Sequence, residues 1–292
     1  MAVLTNTVLT TDVASALNIE FAKRFNGEVN DLARVLGIVS PEVMAAGTTL
    51  YQYTVTGQLN PASATRAEGD EVPLSKYGLT VANMDSLTPV PYRKLTTAEA
   101  VLKAGVTNAV LREDAKMLSD IRNTIVTDFI TGLNTGTGTA TGTTLQDTLA
   151  QSDAVIQDAM ETNHDSYGRL VHIVNPFDIA DYLGKANITT QTAFGMTYLE
   201  TFLGIDNVLV TNKVEKGNII VTPSENLHLF SVDFASLAAA GLPYQTVDSG
   251  FIGVSHEPKY ERFGVVTNAV TGVKFYAEVL DYIVKAEIVP AH

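Results

Sequence analysis

Apolar positions along this chain fall into blocks of helical and strand spacing. Val13, Leu17, Phe21 and Phe25 recur every four residues, which predicts a helix over 12–25, with Asp12 placed to cap it and Gly27 to end it. A second short helix is expected over 29–36, stopping at Gly37. Neither can bury its stripe alone, so residues 1–47 are expected to form an arm lying on a larger body.

The spacing then changes. Leu50 and the alternation Tyr51-Gln52-Tyr53-Thr54-Val55, within a Thr/Tyr/Val-rich run over 48–59, predict a strand. A small polar stretch, 60–65, leads into the charged segment 66–76, which has neither a helical nor a strand core pattern. Extended character returns over 79–101. Pro89 and Pro91 in that run argue for a sheet edge. If each limb of this 48–104 unit stays extended over about 20 residues it reaches ~65 Å. A compact body of this size has a radius of gyration of only ~19 Å. Such a hairpin must project, and a projecting arm makes sense where a neighbour supplies its partner surface.

The strongest helical pattern covers 108–133. Leu111, Ala115, Leu118, Arg122, Ile125 and Phe129 follow one face, widened by Val110, Met117, Ile121 and Ile130. Thr107 or Asn108 is placed to cap it and Gly132 to end it, giving a spine of ~39 Å. The Gly/Thr run 134–144 predicts a flexible loop. Helix is expected again over 145–160, a buried strand over 170–174, and a helix from Asn175-Pro176 to Leu183, with asparagine as cap and proline in the first turn. Short strands are expected at 207–210, 218–221 and 227–230. The tail 251–289 is strand-rich, with a long run through 273–288. Helices and strands do not alternate regularly, so the class is α+β.

Composition narrows the function. The chain has 292 residues, 46% of them hydrophobic and 17% charged, enough for a sizeable core and for subunit contacts. It has no Cys, which excludes disulfides and thiolate metal sites. Net charge is −13, and residues 145–250 hold 13 Asp/Glu against 4 Lys/Arg. Phosphate binding needs clustered Lys/Arg, so specific DNA binding is not expected, although lying near DNA without gripping it is compatible with like charge. The first residues lack the basic and apolar regions of a signal peptide, and no run reaches the ~18 apolar residues of a membrane span; no membrane association is expected.

Catalytic patterns are sparse. None of the histidines 164, 172, 228, 256 and 292 has zinc-helix spacing, and His172 in its apolar strand is expected to be a hydrogen-bonded core residue. There is no Gly-x-Ser-x-Gly elbow and no phosphate loop; Gly136, Gly138 and Gly142 follow a helix where a dinucleotide loop follows a strand. The carboxylate pair Glu113-Asp114 is expected on a solvated helix face. No enzymatic role, cofactor or metal is expected. The mixed charges Arg66, Glu68, Asp70, Glu71 and Lys76, at the tip of a projecting hairpin, are candidates for register-setting contacts with another subunit.

Three stretches carry a resemblance. Ala67-Glu68-Gly69-Asp70-Glu71-Val72-Pro73-Leu74-Ser75-Lys76-Tyr77 resembles the extended-loop signature in major capsid proteins of phages infecting Gram-positive hosts. Val174-Asn175-Pro176-Phe177-Asp178-Ile179-Ala180-Asp181-Tyr182-Leu183-Gly184 is similar to the strand-to-helix element of their axial domain, and Ala277-Glu278-Val279-Leu280-Asp281-Tyr282-Ile283-Val284-Lys285 to their closing strand. The order of elements is also similar over nearly the whole chain.

The resemblance to tailed-bacteriophage major capsid proteins implies the Hong Kong 97-type capsid fold. It implies an N-terminal arm at 1–47 and an extended β-hairpin loop at 48–104. A peripheral domain with the spine helix would take 105–144 and 246–292, and an axial domain 145–245. Subunits would assemble as pentamers and hexamers into an icosahedral shell, made in the host cytoplasm, that encloses double-stranded DNA without specific binding. Portal, scaffolding and possibly decoration proteins are implied partners, with scaffolding expected as a separate protein because the arm begins close to Met1. Some such proteins form Lys–Asn crosslinks; Lys76 lies in the matching loop, but no acceptor Asn or assisting Glu matches, so crosslinking is not expected. The competing readings are an encapsulin-type shell protein, a tail tube subunit, against which the long spine helix argues, and an enzyme with a site invisible in sequence.

Overall fold

The computed structural model describes residues 10–105, 107–166, 168–183, 191–193, 196–202, 205–234, 241–242, 244–247 and 250–289. The chain opens with one long helix, α1 (Thr10–Leu36), where two were expected. Gly27 does not end it. The stripe Phe21, Phe25, Val29, Leu32 and Leu36 is buried and runs straight through the glycine, and burial of one such side chain (about 1.5–3 kcal/mol) outweighs the ~1 kcal/mol a helical glycine costs. Asp12, the expected cap, lies within the helix, and its side chain is outside the described residues. The true stop is Gly37 at φ 78, with Ile38 N–H bonded back to Ala33 O at 2.9 Å, the closure that a left-handed glycine permits.

Next come β1 (Glu42–Met44), β2 (Thr49–Gln58), β3 (Lys76–Ser86), β4 (Val90–Thr97), α2 (Ala98–Ala104) and α3 (Arg112–Leu133). β2 and β3 form a two-stranded antiparallel hairpin, but β4 leaves it and pairs with another sheet. The 79–101 limb is therefore two strands and a helix. Leu87, fully buried, closes the hairpin by exchanging backbone hydrogen bonds with Thr48 (2.9 Å) and Gly47 (2.8 Å), after which Pro89 turns the chain. The limbs shorten to 10 and 11 residues, ~35 Å in place of ~65 Å. Pro91 does lie on an edge strand, as expected.

The spine is a π-turn, Thr107–Leu111, running into α3, whose N-cap position is Leu111, without a side-chain cap; the expected caps Thr107 and Asn108 lie in the π-turn, and their side chains are outside the described residues. Its buried face holds Leu118, Ile121, Ile125, Phe129, Ile130 and Leu133. Arg122 sits at the rim, paired with Glu28 of α1 at 2.9 Å.

The remaining elements are β5 (Gly138–Gly142), α4 (Leu145–Thr162), β6 (Leu170–Val174), α5 (Pro176–Leu183), β7 (Gln191–Ala193), β8 (Met196–Phe202), β9 (Ile205–Val210), β10 (Asn218–Pro223), β11 (Leu227–Val232), β12 (Ile252–Lys259), β13 (Gly264–Thr271), β14 (Lys274–Ala277) and β15 (Val284–Ile288). The expected loop at 134–144 thus contains a strand. β5 runs parallel to β15, and the glycines at and before it are there for space: a β-carbon on Gly136, two residues ahead of the strand, would meet Ile283 at 2.6 Å, and one on Gly142 would meet Thr148 N at 2.5 Å. The tail run 273–288 divides between β14 and β15, which enter different sheets.

A seven-stranded sheet runs β5-β15-β10-β6-β9-β8-β7, with α4 packed over β5, β10 and β15. It combines strands from 170–223 with one strand before and one well after that stretch. Two three-stranded sheets, β1-β11-β14 and β12-β13-β4, flank α1 and α3. The larger core lies between these helices, β12 and β14; a second fills the space between α4 and the seven-stranded sheet.

Candidate assembly interface

The β2–β3 hairpin is tied down at its root, where Tyr53 and Val55 of β2 also pack against the core of the seven-stranded sheet, while β3 is bare. Gln52, buried, donates to Ala277 O at 3.0 Å and accepts from Asn83 Nδ2 at 3.0 Å and Thr135 Oγ1 at 3.1 Å, so one amide joins both hairpin strands to the end of β14 and the loop after α3. The register slips by one residue between Gln52 and Tyr53, a bulge that re-aims the strand. Tyr53 N–H then donates to Glu278 O at 2.9 Å and its hydroxyl to Glu278 Oε2 at 3.1 Å.

Further out, every residue of β3 is exposed except Gly78. Tyr77, Leu79, Val81 and Met84 stand in solvent. Strict alternation suggests one buried face, but a two-stranded ribbon buries neither face by itself. Leu59, Val72 and Leu74, the last 91% exposed, continue the apolar surface around the tip.

All five charged candidates lie at this tip and are exposed, but they do not share one task. Arg66 donates to Asp70 O at 3.2 Å, and Asp70 Oδ2 accepts from Ala67 N at 3.3 Å, so these two fold the loop on itself around Gly69 at φ 93. Glu68, Glu71 and Lys76 enter no ion pair among the described residues. Asn60 supports the tip, capping the short helix Pro61–Ala64 through Ala62 N (3.1 Å) while Ser75 Oγ accepts its own N–H at 2.9 Å. The exposed apolar residues were missed in sequence because the same spacing marks a core-facing strand.

The titratable groups that do converge are internal. Asp114 is 6% exposed, which corrects the expectation of a solvated pair. Its carboxylate receives Lys94 Nζ at 2.8 Å and His256 Nε2 at 3.2 Å, and His256 contacts Asn18 of α1 through its other ring nitrogen. Burial pushes the Asp114 carboxyl up, but the hydrogen bonds from His256 and Lys94 and their charges outweigh it and hold it below the usual carboxylate range. Glu113 is the solvated member, accepting from Thr96 Oγ1 at 2.7 Å. This cluster joins α1, α3, β4 and β12 from within. His172 is a hydrogen-bonded core residue, its Nε2 2.7 Å from Asp153 Oδ1. Among the described residues no three or more His, Asp and Glu gather as a metal site, and no helix is long and apolar enough to cross a membrane.

No family model matches the chain, and no curated protein is similar to it in sequence. Solved structures are similar in fold. The capsid of an empty GTA particle aligns with TM-score 0.52 at 13% identity, over 89% of this chain and 90% of that one. A virus-like particle from Pyrococcus furiosus aligns with TM-score 0.50 at 10% identity, over 92% and 98%. The holo-SrpI encapsulin complex from Synechococcus elongatus PCC 7942 aligns with TM-score 0.50 at 12% identity, over 88% and 87%. With its arm helix, projecting hairpin, spine helix and seven-stranded sheet, the chain has the Hong Kong 97-type capsid fold.

Proposed function

We propose that this chain is a structural subunit without enzymatic activity that assembles with copies of itself into a closed shell, as the major capsid protein of a tailed bacteriophage. The observation that carries the reading is the hairpin: a ribbon anchored through Gln52 and Tyr53 exposes, along β3, a row of apolar side chains that nothing among the described residues covers. A surface of this kind marks a protein contact. Pentamers and hexamers, packaged double-stranded DNA, portal, scaffolding and decoration proteins belong to the same proposal, as does residence in the virion after assembly in the host cytoplasm. The acidic balance of 145–250 suits a wall that holds DNA without gripping it, provided its carboxylates line the lumen; an entirely outward distribution in an assembled shell would sink that part.

Negative-stain microscopy of purified protein tests the reading. Closed polyhedral shells are expected, and deleting residues 62–76 should leave a folded subunit that assembles poorly. Normal shells from that deletion would overturn the role of the hairpin. Tubes would instead indicate a tail subunit, and shells carrying a packaged enzyme would indicate an encapsulin.

A further inference from the structure

A cavity of about 490 Å³ opens between the hairpin root, the C-terminal half of α3 and β14. Much of its polar lining is already paired. Gln52, Asn83 and Thr135 bond to one another, and Asp85 is met by Lys274. Three features are left over. Asp128 of α3 is exposed in its wall and enters no ion pair among the described residues. Tyr276 is 6% exposed, and its hydroxyl has no hydrogen-bond partner among the described residues, a rare condition for a buried polar atom. Thr131 and Gly132 bring the negative end of the α3 dipole to the same space, and the last turn of α3 carries no basic residue to offset it.

This field selects a cation, since Asp128 and the helix end both repel anions. The phenol suits the same ligand. Burial, then the charges of Asp85 and Glu278, push it up to about 12, so it stays neutral and its oxygen is free to accept from an N–H donor. A bare divalent ion finds too few ligands here, because among the described residues no three His, Asp and Glu gather. Met84 and Phe129 line the remainder, an apolar surface for methylene groups, and an aromatic ring also attracts an ammonium.

We infer that this cavity binds a primary alkylammonium group, its charge held by Asp128 and the Tyr276 hydroxyl and its alkyl chain lying on Met84 and Phe129. The ligand is a free aliphatic amine or a lysine side chain presented by another protein, which share this chemistry. The site is complete in one subunit, so it stands apart from the shell reading.

Calorimetric titration of the full chain with n-pentylammonium should show saturable binding at one site, and 1-pentanol, of the same length without the charge, should not bind. Asp128→Asn should weaken binding about fivefold or more. Tyr276→Phe should weaken it about threefold with no fall in melting temperature. Asp120→Asn changes an exposed carboxylate of α3 outside the cavity and should bind as the wild type does. Nα-acetyl-lysine methylamide separates the two sources: binding that matches n-pentylammonium supports a presented lysine, and failure beside n-pentylammonium binding supports a free amine. No saturable binding would overturn the site. So would equal weakening in Asp128→Asn and Asp120→Asn, which marks unspecific attraction to a chain of net charge −13.

Discussion

His256 Nε2 lies 3.2 Å from Asp114 Oδ2, joining strand β12 to helix α3 across 142 residues of chain. Lys94 reaches the same carboxylate, and Asn18 holds the other side of the imidazole, so the arm helix is latched to the core through one buried anion. Asp114→Asn should cost about 3 kcal/mol at neutral pH, because it leaves two donors facing a group that no longer carries charge. The acid limb should change as well. A carboxyl held below its unfolded value of about 3.9 contributes stability that is complete above that pH and lost as pH falls through the folded value. Urea unfolding between pH 2 and 7 should therefore show a steeper loss below about pH 4 in the wild type than in Asp114→Asn. Parallel curves would exclude the latch.

Gln52 should act locally. Its amide carries three hydrogen bonds that hold the hairpin root, and two of them come from outside β2–β3. Gln52→Ala strands buried partners and should cost about 1–3 kcal/mol. Amide hydrogen exchange should rise along β2 and β3 while α3 and the seven-stranded sheet keep their protection. Uniform loss of protection would mean that the hairpin is part of the global folding unit.

Two buried tyrosines set an alkaline limit. Burial, reinforced by the charges of Asp85 and Glu278, pushes Tyr276 up to about 12; burial and a hydrogen bond to Asp165 push Tyr282 up to about 12. Both folded values exceed the unfolded value of about 10, so the native state keeps protons that the unfolded chain releases. Their contribution to stability should be constant below pH 10 and fall as pH rises toward 12. Phenylalanine separates the two residues. The Tyr276 hydroxyl has no partner among the described residues, so Tyr276→Phe should be neutral or stabilising by about 1 kcal/mol, whereas Tyr282→Phe loses its bond to Asp165 and should cost about that much. Thermal unfolding at pH 7 and pH 11 measures both effects.

The elements visible in the sequence were those whose cause is local. The cap at Asn175, the four-residue stripe of α3 and the alternation of β2 each sit within one element, and each is present in the structure. What stayed hidden depends on partners distant in sequence. Asp114 is buried because Lys94 and His256 converge on it, which no helical-face pattern records. The exposure of Tyr77, Leu79 and Val81 was hidden too, since alternation identifies a strand but not whether a second layer exists to cover it. The hairpin was legible as a unit, and its reach was overstated because Leu87 and Pro89, read as strand, turn the chain into another sheet.

Glycine gives the sharpest contrast between local reading and packing. Gly27 and Gly142 both suggest breaks in sequence, yet their substitutions should move stability in opposite directions. Gly27 is exposed inside α1, with nothing within 4 Å of the place a β-carbon would occupy, so Gly27→Ala gains helix propensity and should stabilise by about 0.5–1 kcal/mol. Gly142 ends β5 against the first turns of α4, where a β-carbon would lie 2.5 Å from Thr148 N and 2.6 Å from Thr148 Cα. Those are backbone atoms of a helix whose Thr144 cap accepts from Asp147 N, so they cannot rotate aside. Gly142→Ala must push α4 off the sheet or break the β5–β15 pairing, at about 1–3 kcal/mol or more. Denaturant midpoints of the two variants decide the matter: a stabilised Gly142→Ala would mean that β5 is the loose loop its composition suggests, and a destabilised Gly27→Ala would mean that α1 breaks where its glycine lies.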